Sequence, residues 1–340
     1  MTKLLFSRDP GGARQMLGLL RALDGRFAEE AAHPGIVALR DRLPGGRSPG
    51  APFIVFAKDF AVKVFASLGE PAKPWPLPDS RGPDRDRLLD ALLAERAVGV
   101  VLTATSDVDD DTDQALWRAA RRAGIPSHGF VDGAFNVAPR FTSPEGGTVA
   151  PDFVHVPSQI VAEEVAPYCP AITIIPDLIL GVHRLEMEQA KSNAAGLRRL
   201  WGLGEGERAA LFASENVEEL VALGKPKHYD EYECLELLLA ALAGTASVPG
   251  VEAGAAQLVV VRPHPKERHD KFAAWCDRTS PQACDRNSPR VIVSSDGTAS
   301  EAILAADLVT GMRSTLLREA LDAGKPVVSL VGHDIRGQAT

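Results

Sequence analysis

Two short segments in the second half of the chain carry residue types that bind anions. The first reads VVVRPHPK and places Arg262, His264 and Lys266 at alternate positions after three valines, on a stretch stiffened by two prolines. Cationic side chains that alternate on a stiff segment can point toward the same phosphate or carboxylate. We therefore predict an anion-binding loop here; the alternative is a proline-rich turn whose basic side chains are solvated.

The second segment, LVTGMRST, leads from an apolar strand pattern into a helical one and places Ser314 or Thr315 at the helix start. Backbone N–H groups and the helix dipole favour an anion at such a point, and Arg313 supplies further donors. Glu319, one turn later, could accept hydrogen bonds from ribose hydroxyls. An ordinary helix N-cap and a surface carboxylate would give the same pattern. Together with a serine that follows another strand, the predicted nucleotide- and phosphate-binding residues are Ser214, Arg262, His264, Lys266, Arg313, Ser314, Thr315 and Glu319.

The first half of the chain offers two candidates for a general base. His128 and Asp132 lie four residues apart among glycines and aromatic residues, and glycine lets a substrate approach closely. Either side chain could take a proton from an acceptor hydroxyl; the alternative is an Asp-Gly turn beside a buried histidine. On the acceptor side we expect Gly133, together with Gly11 and Gly12 of an early loop that lacks both common phosphate-binding glycine patterns.

Five aspartates lie close together between Asp107 and Asp113. Such a group could hold a divalent cation, but it lacks the spacing of a calcium-binding loop and precedes a helical pattern over Asp113–Ala123. Acidic residues at that position are more typical of a solvated helix N-terminus, where their charge complements the helix dipole. We therefore predict no metal site.

The elements that must position these residues alternate between short apolar strands and amphipathic helices, which predicts an α/β protein with parallel sheets. Because such sheets bind ligands at the carboxyl ends of their strands, the loops above are well placed. Strands are predicted at Lys3–Ser7, Phe53–Ala57, Val98–Thr103, Ile125–His128, Phe153–Val156, Ala209–Ala213, Leu258–Val261, Val291–Ser294, Leu308–Thr310 and Val327–Leu330.

The order of these elements indicates two Rossmann-like domains, residues 1–180 and 181–340, that face each other across a cleft. A polar helix over Arg184–Trp201 would follow the boundary, and the spacing of Thr298 and Glu301 predicts a capping box. Loops rich in proline and glycine are expected at Gly45–Pro52 and at Pro71–Pro83, the latter around Trp75.

Composition and charge exclude several classes of protein. The 340 residues are 45% hydrophobic and 24% charged, which argues against disorder of the whole chain. Thirty-seven basic and 45 acidic residues give a net charge of −8, so nucleic acid is an unexpected partner. Four cysteines without metal-ligand spacing favour a reducing cytoplasm. Because no apolar run reaches the length of a membrane span, we expect at most peripheral membrane contact.

Taken together, these motifs resemble the bacterial sialyltransferase and capsule-sugar transferase group, whose architecture is the GT-B type. The sequence VDG at 131–133 is similar to that group's acidic motif, whose last acid, here Asp132, is the base; valine replaces a second acid. His264-Pro265 and Ser314-Thr315 resemble its two motifs that contact the donor phosphate. His128-Gly129 is similar to a motif of polyol-phosphate polymerases such as the CDP-glycerol glycerophosphotransferases, which makes His128 the rival base.

This resemblance implies an inverting, metal-independent glycosyltransferase without a cofactor, which functions in polysaccharide biosynthesis. The first domain would bind a glycan or small hydroxyl acceptor, and the second would bind the nucleotide-sugar donor, with a CMP-linked, sialic-acid-like acidic sugar the most plausible one. Three alternatives remain open: a polyol-phosphate transferase of the CDP-glycerol type, a nucleotide-sugar epimerase, and a nucleotide- or glycan-binding protein that catalyses nothing.

Overall fold

The chain folds into two compact units in a computed structural model. The residues described are 1–45, 52–79, 81–106, 110–133, 136–222, 224, 226–265, 267–268, 270–272, 275 and 288–332. The first unit spans Met1–Arg184, and the second begins at Leu185. Lys266, Asp107, Asp109 and most of the loop predicted at Gly45–Pro52 lie outside the described residues.

The first unit contains a seven-stranded parallel sheet with the order β3-β2-β1-β4-β5-β6-β7. Its interior strand β1 is apolar: Leu4, Leu5 and Phe6 are fully buried, as expected for a strand that is covered on both faces. The strands are β1 (Thr2–Ser7), β2 (Phe53–Ala57), β3 (Lys73–Pro74), β4 (Val98–Ala104), β5 (Ser127–Phe130), β6 (Phe153–Val156) and β7 (Ile172–Ile174).

Helices connect the strands of this unit. The first begins directly after β1 with Pro10, which has no N–H to leave unpaired at a helix start. The helices are α1 (Pro10–Leu23), α2 (Ala28–Ala32), α3 (Pro34–Arg42), α4 (Phe60–Ser67), α5 (Pro83–Glu95), α6 (Thr112–Ala123), α7 (Val137–Arg140), α8 (Gln159–Val165) and α9 (Leu178–Ala190), the last of which runs across the unit boundary.

The second unit contains a five-stranded parallel sheet with the order β10-β9-β8-β11-β12. Successive residues of its β9 strand face two different cores: Val259 and Val261 pack in one cluster, and Leu258 and Val260 in another. Its elements are α10 (Ala194–Leu200), β8 (Ala209–Ala213), α11 (Val217–Ala222), α12 (Glu231–Leu242), β9 (Leu258–Arg262), β10 (Arg290–Val293), α13 (Ala299–Ala305), β11 (Leu308–Gly311), α14 (Thr315–Asp322) and β12 (Val327–Ser329).

These elements confirm the α/β class and most predicted strands, with local differences. The helix predicted over Arg184–Trp201 is two helices, and the first begins earlier because Asp177 accepts hydrogen bonds from the N–H groups of Ile179 and Leu180. The short edge strands β3 and β7 were not predicted. Trp75, predicted to lie in a loop, packs edge-on against Phe6, with the ring centroids 4.8 Å apart. In the part of the chain that the structure describes, no helix combines the length and apolar content needed to cross a bilayer.

Candidate functional site

The strand order of the first sheet identifies where a ligand would bind in this unit. From β1 the chain moves outward through β2 to β3, and it then returns to add β4 on the other side of β1. Open α/β sheets bind ligands beside the carboxyl ends of the two strands at such a reversal. The residues that follow β1, β4 and the neighbouring β5 are therefore the candidates in the first unit.

Asp132, which follows β5, is held there by a side chain from α7. Arg140 Nη1 donates to Asp132 Oδ1 at 2.6 Å and to Thr105 Oγ1 at 2.8 Å. The Thr105 hydroxyl in turn donates to the carbonyl of Phe130 at 3.2 Å. The Asp132 side chain is 24% exposed. The segment after β5 therefore presents an oriented, accessible carboxylate.

The three glycines predicted on the acceptor side have different surroundings. A Cβ at Gly11 would lie 2.7 Å from Asp132 Oδ2, so only glycine lets the carboxylate approach the first turn of α1. A Cβ at Gly12 would lie 2.6 Å from the Cβ of Ala104, which makes Gly12 a packing residue. A Cβ at Gly133 would have no atom within 4 Å.

His128, predicted as the last residue of a strand and as a candidate base, lies in the interior of the strand β5. Because Pro126 has no N–H to donate to a strand ladder, β5 begins at Ser127 and His128 lies within it. Its side chain is only 1% exposed, and its Nδ1 is 2.9 Å from Nε2 of His155. Burial lowers the pKa of His128 to about 4, so the imidazole is neutral at pH 7. This position argues against His128 as the base and gives no support to the CDP-glycerol alternative.

The three described aspartates at the N-terminus of α6 are buried or half-buried and are paired, contrary to the expectation that they are solvated. Asp111 is 4% exposed and accepts hydrogen bonds from both Nη atoms of Arg85 at 2.8 Å. Burial alone would raise the pKa of Asp111, but these bonds lower it to about 2. Asp110 pairs with Lys58. Asp113 is 1% exposed and accepts two backbone hydrogen bonds, and burial raises its pKa to about 7. These three carboxylates are therefore paired with cationic side chains or with backbone N–H groups of the protein.

The second sheet reverses its strand order in the same way, between β8 and β11. Ser214 follows β8, His264 follows β9, and Arg313 follows β11, so all three loops lie at the carboxyl edge of this sheet. His264 is half-buried, whereas Arg313 is exposed. The structure thus brings the predicted phosphate-binding loops to one edge; Lys266 lies outside the described residues.

Ser214 and Arg262 stabilise these loops. Ser214 is 2% exposed, and its hydroxyl donates to Glu267 Oε1 at 2.7 Å. The Arg262 guanidinium donates to the carbonyls of Asp296 and Gly297 at 3.0 and 2.9 Å. These contacts hold both side chains against the loops, and their direct contact with a phosphate stays a prediction.

The loop after β11 leads into α14 as predicted. Ser314 is the N-cap, and its hydroxyl accepts a hydrogen bond from the N–H of Leu316 at 3.2 Å. Thr315 is the first residue of the helix, and Glu319 lies one turn further on. The Arg313 guanidinium lies 5.6 Å from the ring centroid of Tyr229.

A glutamate that was not predicted lies between these groups. Glu215 accepts hydrogen bonds from the backbone N–H of Arg313 and, at 2.5 Å, from the hydroxyl of Tyr229. Arg140, Glu215 and Glu267 were all missed by sequence reasoning. Only Glu267 had a local signal, since an acid three residues after His264 can accept the N–H of that residue.

Three buried or half-buried carboxylates of the second unit, those of Glu219, Glu231 and Glu267, lie close enough together to bind a metal ion. Lys271 Nζ lies among them, at 3.0, 2.5 and 2.7 Å respectively. An ammonium group thus takes the position that a cation would need.

Solved structures match nearly the whole chain in fold. The UDP-GlcNAc 2-epimerase of Methanocaldococcus jannaschii, in complex with UDP-GlcNAc and UDP, has a TM-score of 0.61 and 11% identity, covering 100% of this chain and 86% of that one. For MnaA of S. aureus with UDP, the TM-score is 0.60 and the identity 13%, and the match covers 99% of this chain and 80% of that one. For UDP-GlcNAc 2-epimerase of Neisseria meningitidis bound to UDP-GlcNAc, the TM-score is 0.55 and the identity 13%, and the match covers 100% of this chain and 85% of that one.

Compared with known sequence families and with curated proteins, the chain has no match. At identities this low, likeness to a solved structure concerns the fold alone. Both sheets are parallel, and both reverse their strand order at an interior strand. The chain therefore has two Rossmann-like domains of the GT-B type.

Proposed function

We propose that this chain is an enzyme that acts on a nucleotide-activated sugar, namely an inverting, metal-independent glycosyltransferase with Asp132 as its general base. The observation that carries the proposal is the placement of Asp132 at the carboxyl edge of the first sheet. One carboxylate oxygen is held by Arg140, and the other lies beside Gly11, where the absence of a side chain leaves room for the carboxylate itself. Inverting transfer requires one such oriented base.

In this mechanism Asp132 takes the proton of an acceptor hydroxyl as the hydroxyl oxygen attacks the anomeric carbon. The bond from that carbon to the donor phosphate breaks, and its electron pair leaves with the phosphate. His264, Arg313 and the first turn of α14 would stabilise the departing charge. Neither a metal ion nor a cofactor is required, because side chains and backbone N–H groups meet this charge. The remaining proposed donor contacts are Lys266, Ser314 and Thr315 to phosphate and Glu319 to ribose.

Two observations bear on the identity of the donor and the acceptor, and they favour different donors. The resemblance of the motifs to sialyltransferases supports a CMP-linked acidic sugar and a glycan or small hydroxyl acceptor. Two of the structures with similar folds were solved with UDP-GlcNAc, which supports a UDP-sugar. A thermal-shift panel of CMP, CDP, UDP and GDP distinguishes these donors, because a nucleotide that binds only the folded state raises the melting temperature.

The substitution Asp132→Asn tests the base. With the sugar derivative of the tightest-binding nucleotide, kcat should fall ~10³-fold, as expected for the loss of a general base. Affinity for the nucleotide should stay at the wild-type value, because Asp132 does not belong to the unit that carries the phosphate loops. Asp90→Asn, which alters an exposed ion pair with Arg122, is the control. Undiminished turnover of Asp132→Asn would remove the carboxylate from this role, and a panel without any binding nucleotide would overturn the proposal.

The matched folds favour a second candidate, a nucleotide-sugar epimerase. Two of the matched structures described as UDP-GlcNAc 2-epimerases each cover 100% of this chain. An epimerase changes its nucleotide sugar without a separate acceptor, whereas a glycosyltransferase needs one for transfer. Incubation of the donor alone, followed by analysis of the sugar, separates the two: a new epimer supports the second candidate, and an unchanged or hydrolysed donor the first.

A further inference from the structure

We infer that Glu267 is a positioning residue of the proposed phosphate site and that the buried Lys271 fixes its carboxylate. This inference rests on the proposed function, because it concerns the same loops of the second unit. It adds residues that make no contact with the ligand themselves. Glu267 would set where the imidazole of His264 lies, and Lys271 would set where Glu267 lies.

The two oxygens of Glu267 join two loops. Oε1 accepts a hydrogen bond from the Ser214 hydroxyl at 2.7 Å, and Oε2 accepts one from the backbone N–H of His264 at 2.6 Å. The backbone N–H of Glu267 donates back to the carbonyl of His264 at 2.9 Å. With the His264 N–H engaged in this way, the imidazole is the group of His264 that can contact a phosphate.

Lys271 extends this connection to further elements. Its side chain is fully buried, and Nζ contacts Glu267 at 2.7 Å and Glu231 of α12 at 2.5 Å. The same ammonium group donates to the backbone carbonyl of Glu215 at 3.4 Å. Because the Glu215 carboxylate accepts the N–H of Arg313, the loops after β8, β9 and β11 form one hydrogen-bonded network.

The chemistry of the network fits positioning better than it fits stability alone. Burying charged groups costs free energy even when they are paired, and an apolar cluster of similar volume is often as stable. Here burial raises the pKa of Glu267, which is the sign of that cost. What the carboxylate provides is geometry, since it accepts directional hydrogen bonds from both loops at once.

The test compares two substitutions that each remove one carboxylate from Lys271. Glu267→Gln changes the contacts to Ser214 and His264, whereas Glu219→Gln loses a partner of Lys271 at 3.0 Å that touches neither residue. Titration calorimetry with the nucleotide that binds best among CMP, CDP, UDP and GDP should show affinity ~10-fold weaker for Glu267→Gln, as for a lost charged hydrogen bond. Glu219→Gln should bind within about twofold of wild type.

Two further variants connect the effect to His264. If Glu267 acts through this loop, His264→Ala combined with Glu267→Gln should bind no more weakly than His264→Ala alone. Should Glu267→Gln fail to fold, Glu267→Asp asks the same question, because it keeps the charge beside Lys271 but is too short to reach both loops.

The outcomes separate this inference from the function on which it rests. Wild-type affinity in His264→Ala, or the lack of any binding nucleotide, would contradict the proposed phosphate site itself. A weakened His264→Ala beside an unchanged Glu267→Gln would overturn only the positioning role. Additive losses in the double variant, or equal losses in Glu267→Gln and Glu219→Gln, would overturn it as well.

Discussion

The carboxyl edges of the two sheets hold their candidate residues in different ways. In the first unit Arg140 contacts Asp132 directly, and both side chains are partly exposed. In the second unit the loop that contains His264 is held by Glu267, which accepts the backbone N–H of His264. Glu267 in turn contacts Lys271, whose side chain is fully buried.

This difference separates two kinds of dependence on the fold. A direct, partly exposed ion pair contributes little to stability, typically ~0–1 kcal/mol, so its loss should change chemistry and leave folding nearly intact. Breaking a buried hydrogen-bonded pair is costly, because it leaves a polar group without a partner. Substitutions of Asp132 or Arg140 should therefore affect turnover, whereas substitution of Glu267 should affect binding and stability together.

Among the groups that hold the candidate residues, Arg140 should give the largest effect when it is changed to alanine. Asp132 would lose the group that orients Oδ1, and kcat should fall ~10²-fold with nucleotide affinity unchanged. Arg140→Lys keeps the charge and should recover part of the loss, whereas Arg121→Ala, which loses an exposed contact to the Ala150 carbonyl, is the control. Steady-state kinetics and thermal melts check both quantities. A large drop in melting temperature with normal kcat would show that Arg140 serves stability and does not orient the base, which contradicts the difference drawn between the two units.

Acid should distinguish the two units next. Burial lowers the pKa of His128 from its ordinary 6.5 to about 4. Between these values the unfolded chain binds more protons, so stability is present above pH 6.5 and is lost as pH falls; for this group the loss at pH 5 is ~2 kcal/mol. Burial raises the pKa of Glu267 above its ordinary value, so acid has the opposite effect there. Asp113 of the first unit, whose pKa burial raises to about 7, responds to acid in the same direction as Glu267, so the contrast applies to the strands that carry the buried histidines.

Hydrogen exchange at pH 7 and pH 5, corrected for the intrinsic rates, resolves these contributions. Protection of β5 and β6 should fall at pH 5 by more than that of β8 and β9. In His128→Gln the drop in β5 should be smaller, since one titrating group is gone. Equal losses in both units, or no change in the variant, would show that the buried histidine does not set the acid response.

Much of the fold could be predicted from local sequence, because buried strands need only short apolar runs. Phe53–Ala57 and Ala209–Ala213 have the predicted bounds, and the capping box of Thr298 and Glu301 is present. The edge strands β3 and β7 were missed because two or three exposed or half-buried residues give no such pattern.

The candidate site could be predicted only where its residues follow strands directly. Asp132, His264 and Ser314 do so, and the parallel sheets bring their loops to the carboxyl edges. The groups that hold them come from distant positions: Ser214 and Glu267 are 53 residues apart. No spacing rule states which buried carboxylate meets which hydroxyl or ammonium group, since only the folded packing brings them together.

The smallest expected effect compares two helix N-caps within the second unit. Ser314 caps α14 at the proposed phosphate site, and Thr298 caps α13 away from the strand reversal. Each change to alanine should cost ~1 kcal/mol of unfolding free energy, measured by denaturant titration, because one backbone N–H loses its acceptor. Only Ser314→Ala should also weaken nucleotide binding, by a few-fold on calorimetry, since its hydroxyl and the N–H groups of that turn would face the phosphate. Equal affinities in both variants would mean that the first turn of α14 serves folding alone. Of the groups compared here, only those of the Glu267 network would then contribute to both nucleotide binding and stability.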